Sequence, residues 1–90
     1  MAESMIARVR RGAALLDKKR RSKAWRKKID LESLNIGSFC DCIGGQLYGG
    51  DYFNAPAWFQ EADAFMAKPH EEYAAMSVRL TRAWKRYLKS

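Results

Sequence analysis

Apolar residues recur along this chain at helical spacing. Met5, Ile6, Val9, Ala13 and Leu16 fall within an arc of about 100° on a helical wheel, with Arg8, Arg10, Arg11, Lys18 and Lys19 outside it, so the pattern predicts an amphipathic helix over residues 3–19. At the other end Tyr73, Met76, Leu80, Trp84 and Tyr87 repeat at intervals of 3, 4, 4 and 3, with Arg79, Arg82, Lys85, Arg86 and Lys89 on the far side. This predicts the most regular helix of the chain, from His70 onward.

The stretch between these helices has a weaker period. Residues 20–28 contain only Ala24 and Trp25 as apolar groups, which predicts a short helix anchored by Trp25 alone. Ile29, Leu31, Leu34 and Ile36 are spaced too irregularly for a long element and read as a packed connection, with Asp30 as the N-cap of a single turn. Ser38 and Asp41 have capping-box spacing, and Phe39, Cys40, Ile43 and Leu47 share a face, so a short helix is expected through Tyr48, ended by Gly49 and Gly50. Gly44 and Gly45 inside it each cost about 1 kcal/mol relative to Ala, which implies a very close neighbouring element or a bend. Asn54 and Pro56 then open a helix with Trp58, Phe59, Ala62, Phe65 and Met66 on its apolar face, and Pro69 stops it. With two Val, four Ile and one Thr in the chain, strands are not expected. The fold class read from this pattern is all-α, a compact single domain of four or five short helices whose N-terminal part, residues 3–28, is a basic helix and arm.

Composition fits that reading: 90 residues, 48% hydrophobic, with 11 aromatic residues to fill one core. The longest aliphatic run, residues 13–16, is far too short for a membrane span or a signal-peptide core, so no membrane partner and a cytoplasmic location are expected. Charge changes the picture more. Residues 1–28 hold 11 bases against two acids, residues 29–67 hold six acids and no base, and residues 68–90 hold six bases against two acids, giving +9, −6 and +4 and the net +7. Like charges add at a distance, so this sorting favours a polyanion or an acidic protein surface as partner.

The densest basic run is residues 18–28, where Lys18, Lys19, Arg20, Arg21, Lys23, Arg26, Lys27 and Lys28 leave only Ser22, Ala24 and Trp25 uncharged. Such residues contact phosphates with counterion release, and Trp25 either stacks on a base or anchors the segment to the core. Arg79, Arg82, Lys85 and Arg86 add a second basic face on a regular helix. No helix-turn-helix, zinc-finger or RNA-binding signature accompanies them, so little sequence preference is expected. Cys40 and Cys42 lie two apart with too few further ligands for a mononuclear metal site, and reduced, buried, metal-free thiols are expected, with no cofactor. Gln46, between glycines and leucine, reads as an amide holding two loops together. His70 reads as a first-turn residue, and no nucleophile or carboxylate pairs with it in a catalytic pattern, so an enzyme is not expected. The aromatic set Tyr48, Tyr52, Phe53, Trp58 and Phe59 reads mainly as core, but Tyr52 and Phe53, after Gly50 and outside the clean stripes, are candidates for a protein-binding anchor.

The blocks Gly12-Ala13-Ala14-Leu15-Leu16-Asp17, Ile29-Asp30-Leu31, Cys40-Asp41-Cys42, Gly45-Gln46-Leu47-Tyr48-Gly49 and Leu80-Thr81-Arg82-Ala83-Trp84, with Trp25 and Leu34, form a recognisable series. On these residues the chain resembles a family of small proteins from actinobacteria and their phages, over about residues 11–87. The resemblance implies a phage or prophage origin and no particular mechanism. Residues 20–25 depart from it, reading Arg-Arg-Ser-Lys-Ala-Trp where related sequences carry Lys-Arg-Pro-Gly-Trp. The charge sorting and the exposed-anchor candidates leave two expected functions: nucleic-acid binding through the basic segments, or a phage effector that binds a host protein and inhibits or redirects it.

Overall fold

A computed structural model describes residues 3–89. Among them four α-helices form, α1 (Met5–Arg20), α2 (Ile43–Leu47), α3 (Ala57–Glu61) and α4 (Tyr73–Lys89), with 3-10 turns at Ala24–Lys28 and Tyr52–Asn54 and no strand. The all-α expectation holds. Ser4 caps α1, its Oγ accepting from the Ala7 amide at 3.2 Å, and the stripe Val9, Ala13 and Leu16 is fully buried. α4 packs across α1 and begins where the Glu72 carboxylate accepts from the Ala75 amide at 2.6 Å. His70 lies before that helix, not in its first turn.

Leu80 and Trp84 carry the inner face of α4. Trp84 meets Trp25 edge-on at 6.2 Å and stacks on Phe65 at 5.7 Å, and Phe65 stacks in turn on Phe59 at 3.9 Å. These contacts form an aromatic column through the core, each pair worth about 0.5–1.5 kcal/mol beyond its buried area. The indole N–H of Trp84 donates to the Ala64 carbonyl at 2.7 Å, so the column is also fixed in rotation.

Several local expectations give way to tertiary demands. The predicted helix over residues 20–28 is interrupted: Arg21 takes left-handed φ of 54° and its amide donates to the Asp17 carbonyl, ending α1 before the 3-10 turn begins. Ser38 and Asp41 bond to each other, but in a turn. α2 starts four residues later than that box implies, capped by the Cys42 sulfur, which accepts from the Gly45 amide at 3.3 Å. A Cβ on Gly45 would lie 2.3 Å from the Cys40 carbonyl oxygen and one on Gly44 2.8 Å from the Phe59 ring, so the close approach implied by these glycines is real. α3 is entered from Pro56, not capped by Asn54, whose amide donates to the Tyr48 carbonyl.

The largest departure is the end of α3. The helix expected to run through Met66 stops at Glu61, and residues 62–66 are irregular although Ala64, Phe65 and Met66 are buried. Continuing the helix would leave Phe65 about 120° around the axis and about 9 Å along it from Phe59, six residues earlier, and the two rings could not stack. Unwinding also frees carbonyls that side chains then satisfy. Tyr52 donates to Gln60, Lys68 to Gln60 and Glu61, Arg8 to Asp63 and Trp84 to Ala64. Gly12 admits this segment against α1, since a Cβ there would lie 2.4 Å from the Ala64 methyl carbon.

Candidate nucleic-acid interface

α1 and the turn after it place the basic run at the surface. The Asp17 carboxylate organises its far end, accepting from the Trp25 indole at 2.8 Å and from Arg26 Nη2 at 2.9 Å. Arg26 then stacks over Trp25 and over Tyr87 of α4, which joins the basic run to the last helix. Two candidates are thereby corrected. Trp25 is only 1% exposed and cannot stack on a base, so it is the core anchor of its turn. Arg26 is already paired and lies on two rings, which makes it part of the framework.

The remaining bases of the run stay available. Lys19 lies over Trp58 at 5.6 Å and Arg20 over Tyr48 at 5.7 Å, contacts that orient the cations without neutralising them. Among the described residues, no carboxylate forms an ion pair with Lys18, Lys19, Arg20, Arg21, Lys23, Lys27 or Lys28, nor with Arg79, Arg82, Lys85 or Arg86. Three acids of residues 29–61 are turned to local work instead: Asp30 accepts from the Glu32 amide, Asp41 from Ser38 and Asp51 from the Phe53 amide.

Arg8 is the functional-looking base that periodicity misplaces. Set outside the apolar arc by the wheel, it is 5% exposed, with its guanidinium on both Glu71 carboxylate oxygens at 2.7 and 2.8 Å and on the Asp63 carbonyl. Arg11 follows with ion pairs to Glu3 and Asp63. The Arg8 hydrogen bonds hold the Glu71 carboxyl down to about 2, and those from Arg11 lower Asp63. Nothing local in the sequence ties position 8 to positions 63 and 71.

The candidate protein anchors separate. Tyr52 is buried and donates its hydroxyl to the Gln60 carbonyl at 3.2 Å, so it belongs to the core and not to a docking surface. Phe53 is 61% exposed and packs at 4.9 Å on Phe39, itself 44% exposed. Gln46 holds two loops as expected, its amide accepting from the Asp30 N–H and donating to the Asp30 and Asp41 carbonyls. Of the cysteines, Cys42 is buried, with burial pushing its thiol up, whereas Cys40 is exposed, contrary to the expectation of two buried thiols. No group of three or more His, Cys, Asp or Glu side chains among the described residues is placed to hold a metal ion, and no helix there is long and apolar enough to cross a membrane. Comparison of the chain with protein families, curated proteins and solved structures finds no match.

Proposed function

We propose that this is a small, non-enzymatic phage or prophage protein that binds nucleic acid through residues 18–28, mainly by phosphate contacts. One observation carries the reading. Seven of the eight bases in that run, all but Arg26, have no acidic partner among the described residues, and no acid of residues 29–67 forms an ion pair with them. Lys19 and Arg20, oriented by Trp58 and Tyr48, and the turn forced at Arg21 spread the positive charge around the end of α1. Contacts of this kind follow the backbone and carry little base preference. The test is affinity for duplex DNA and duplex RNA against salt. With about five phosphates neutralised, log affinity on DNA falls against log salt with a slope near −4.5. Replacing Arg20, Arg21, Lys23 and Lys27 with Gln flattens that slope. Absence of binding at about 50 mM salt, or indifference to these changes, overturns the reading.

A second reading, a phage effector that occupies a host protein, is favoured by the solvent-facing Phe53 and Phe39 rings. Under it, Phe53→Ala weakens capture of a nuclease-resistant host protein and leaves thermal stability nearly unchanged.

A further inference from the structure

The second basic face lies beside a cleft, and the cleft has an apolar floor. A space of about 360 Å³ opens between Met5 and Ile6 of α1 and Arg79, Arg82, Ala83 and Arg86 of α4. A second, of about 280 Å³, adjoins it through Ile6 and Arg86 and adds Arg10 and Tyr87. Arg10, Arg79, Arg82 and Arg86 are all exposed, and none has a carboxylate partner among the described residues. Arg79, Arg82 and Arg86 stand three and four positions apart, hence on one side of α4 over two turns, about 10 Å. Lys85 falls off that side and does not line the cleft.

A phosphate track needs cations but no apolar floor. A planar guanidinium, weakly hydrated and shaped to meet a carboxylate with two parallel hydrogen bonds, is suited to a rim around apolar surface where a compact, strongly hydrated ammonium is not. The fold makes this contact itself one turn away: Arg8 grips Glu71 in that manner, in a depression that shares Met5 and Arg79 with the cleft. We propose that the α1/α4 cleft docks an acidic segment of a partner protein, which lays an aliphatic or aromatic side chain on Met5, Ile6 and Ala83 and offers carboxylates to Arg79 and Arg86 about two helical turns apart. This goes beyond the nucleic-acid reading, which rests on residues 18–28.

The probe is a fluorescein-labelled helical peptide carrying two Leu flanked by Glu at i and i+7, with a second peptide of identical charge in which both Leu are Ser. Polarisation at about 0.15 M salt separates local from long-range attraction. The Leu peptide binds, the Ser peptide binds at least about fivefold more weakly, and Arg79→Gln with Arg86→Gln weakens the Leu peptide about tenfold, while Lys23→Gln with Lys27→Gln leaves it unchanged. Both arginines are exposed, so the circular dichroism of that variant stays as in the parent. Equal affinity for the two peptides, no saturable binding up to about 1 mM, or equal losses from the cleft and arm variants overturns the proposal. So does displacement of the Leu peptide by duplex DNA whose own affinity falls with the cleft variant, an outcome that assigns the cleft to nucleic acid. The nucleic-acid reading is judged separately, by the arm variants on duplex.

Discussion

The two halves of α1 carry the same kind of side chain to opposite ends. In the first half Arg8 and Arg11 are drawn into a network with Glu3, Asp63 and Glu71, one of them buried. In the second half and the turn beyond, the bases from Lys18 to Lys28 meet a single acid, Asp17, which engages Arg26. The difference lies in which acids the fold delivers and not in the bases. Unwinding after Glu61 swings Asp63 against the start of α1, and the turn before α4 presents Glu71 there, while Asp30, Asp41 and Asp51 stay in their own loops. Formal charge along the chain therefore overstates what is free near Arg8 and understates how concentrated the free charge is at residues 18–28.

The comparison breaks most readily at Arg8. Truncation by Arg8→Ala leaves Glu71 without its charged partner, with only the Lys68 amide still donating to it, and the Asp63 carbonyl without a donor, so a loss of about 3–5 kcal/mol is expected in denaturant unfolding. A loss below about 1 kcal/mol would show the first half to be as solvated as the second.

Acid probes the same network from its other side. Glu71 is held down to about 2 in the folded protein, below its value in the unfolded chain, so its contribution is fully present near neutral pH and is lost as pH falls from about 5 toward 2. Lowered Asp63 adds in the same direction. Thermal melts across that window should show the decline, and Glu71→Gln should flatten it while lowering stability at pH 7. A melting temperature insensitive to acid would remove the network's energetic role.

Gly12→Ala tests what brings Asp63 to α1. The methyl clashes with Ala64, a cost of about 1–3 kcal/mol that the roughly 1 kcal/mol of helix propensity gained by Ala offsets only in part. Net stabilisation would mean that the segment can retreat freely. The smallest effects belong to the second half. Arg21→Gly relieves left-handed strain and should stabilise by about 0.5–1 kcal/mol, and Lys23→Gln with Lys27→Gln should change stability by under about 0.5 kcal/mol. A large loss from that pair would make the run structural, as Arg26 is.

Period and composition by themselves determined the two long helices, the all-α class and the loop-holding amide of Gln46. Each depends on residues near in sequence, or on a side chain whose chemistry leaves one plausible environment. Tertiary structure alone decided where α3 ends, that Cys42 and not Ser38 caps α2, that Arg8 and Tyr52 are buried and Cys40 is exposed, and which cations stay free. Those outcomes turn on partners tens of residues away: Phe65 must reach Phe59 and Trp84, and Arg8 must reach Asp63 and Glu71. A helical ladder gives way when stacked rings and side-chain donors satisfy the same carbonyls better, and no local period records that exchange.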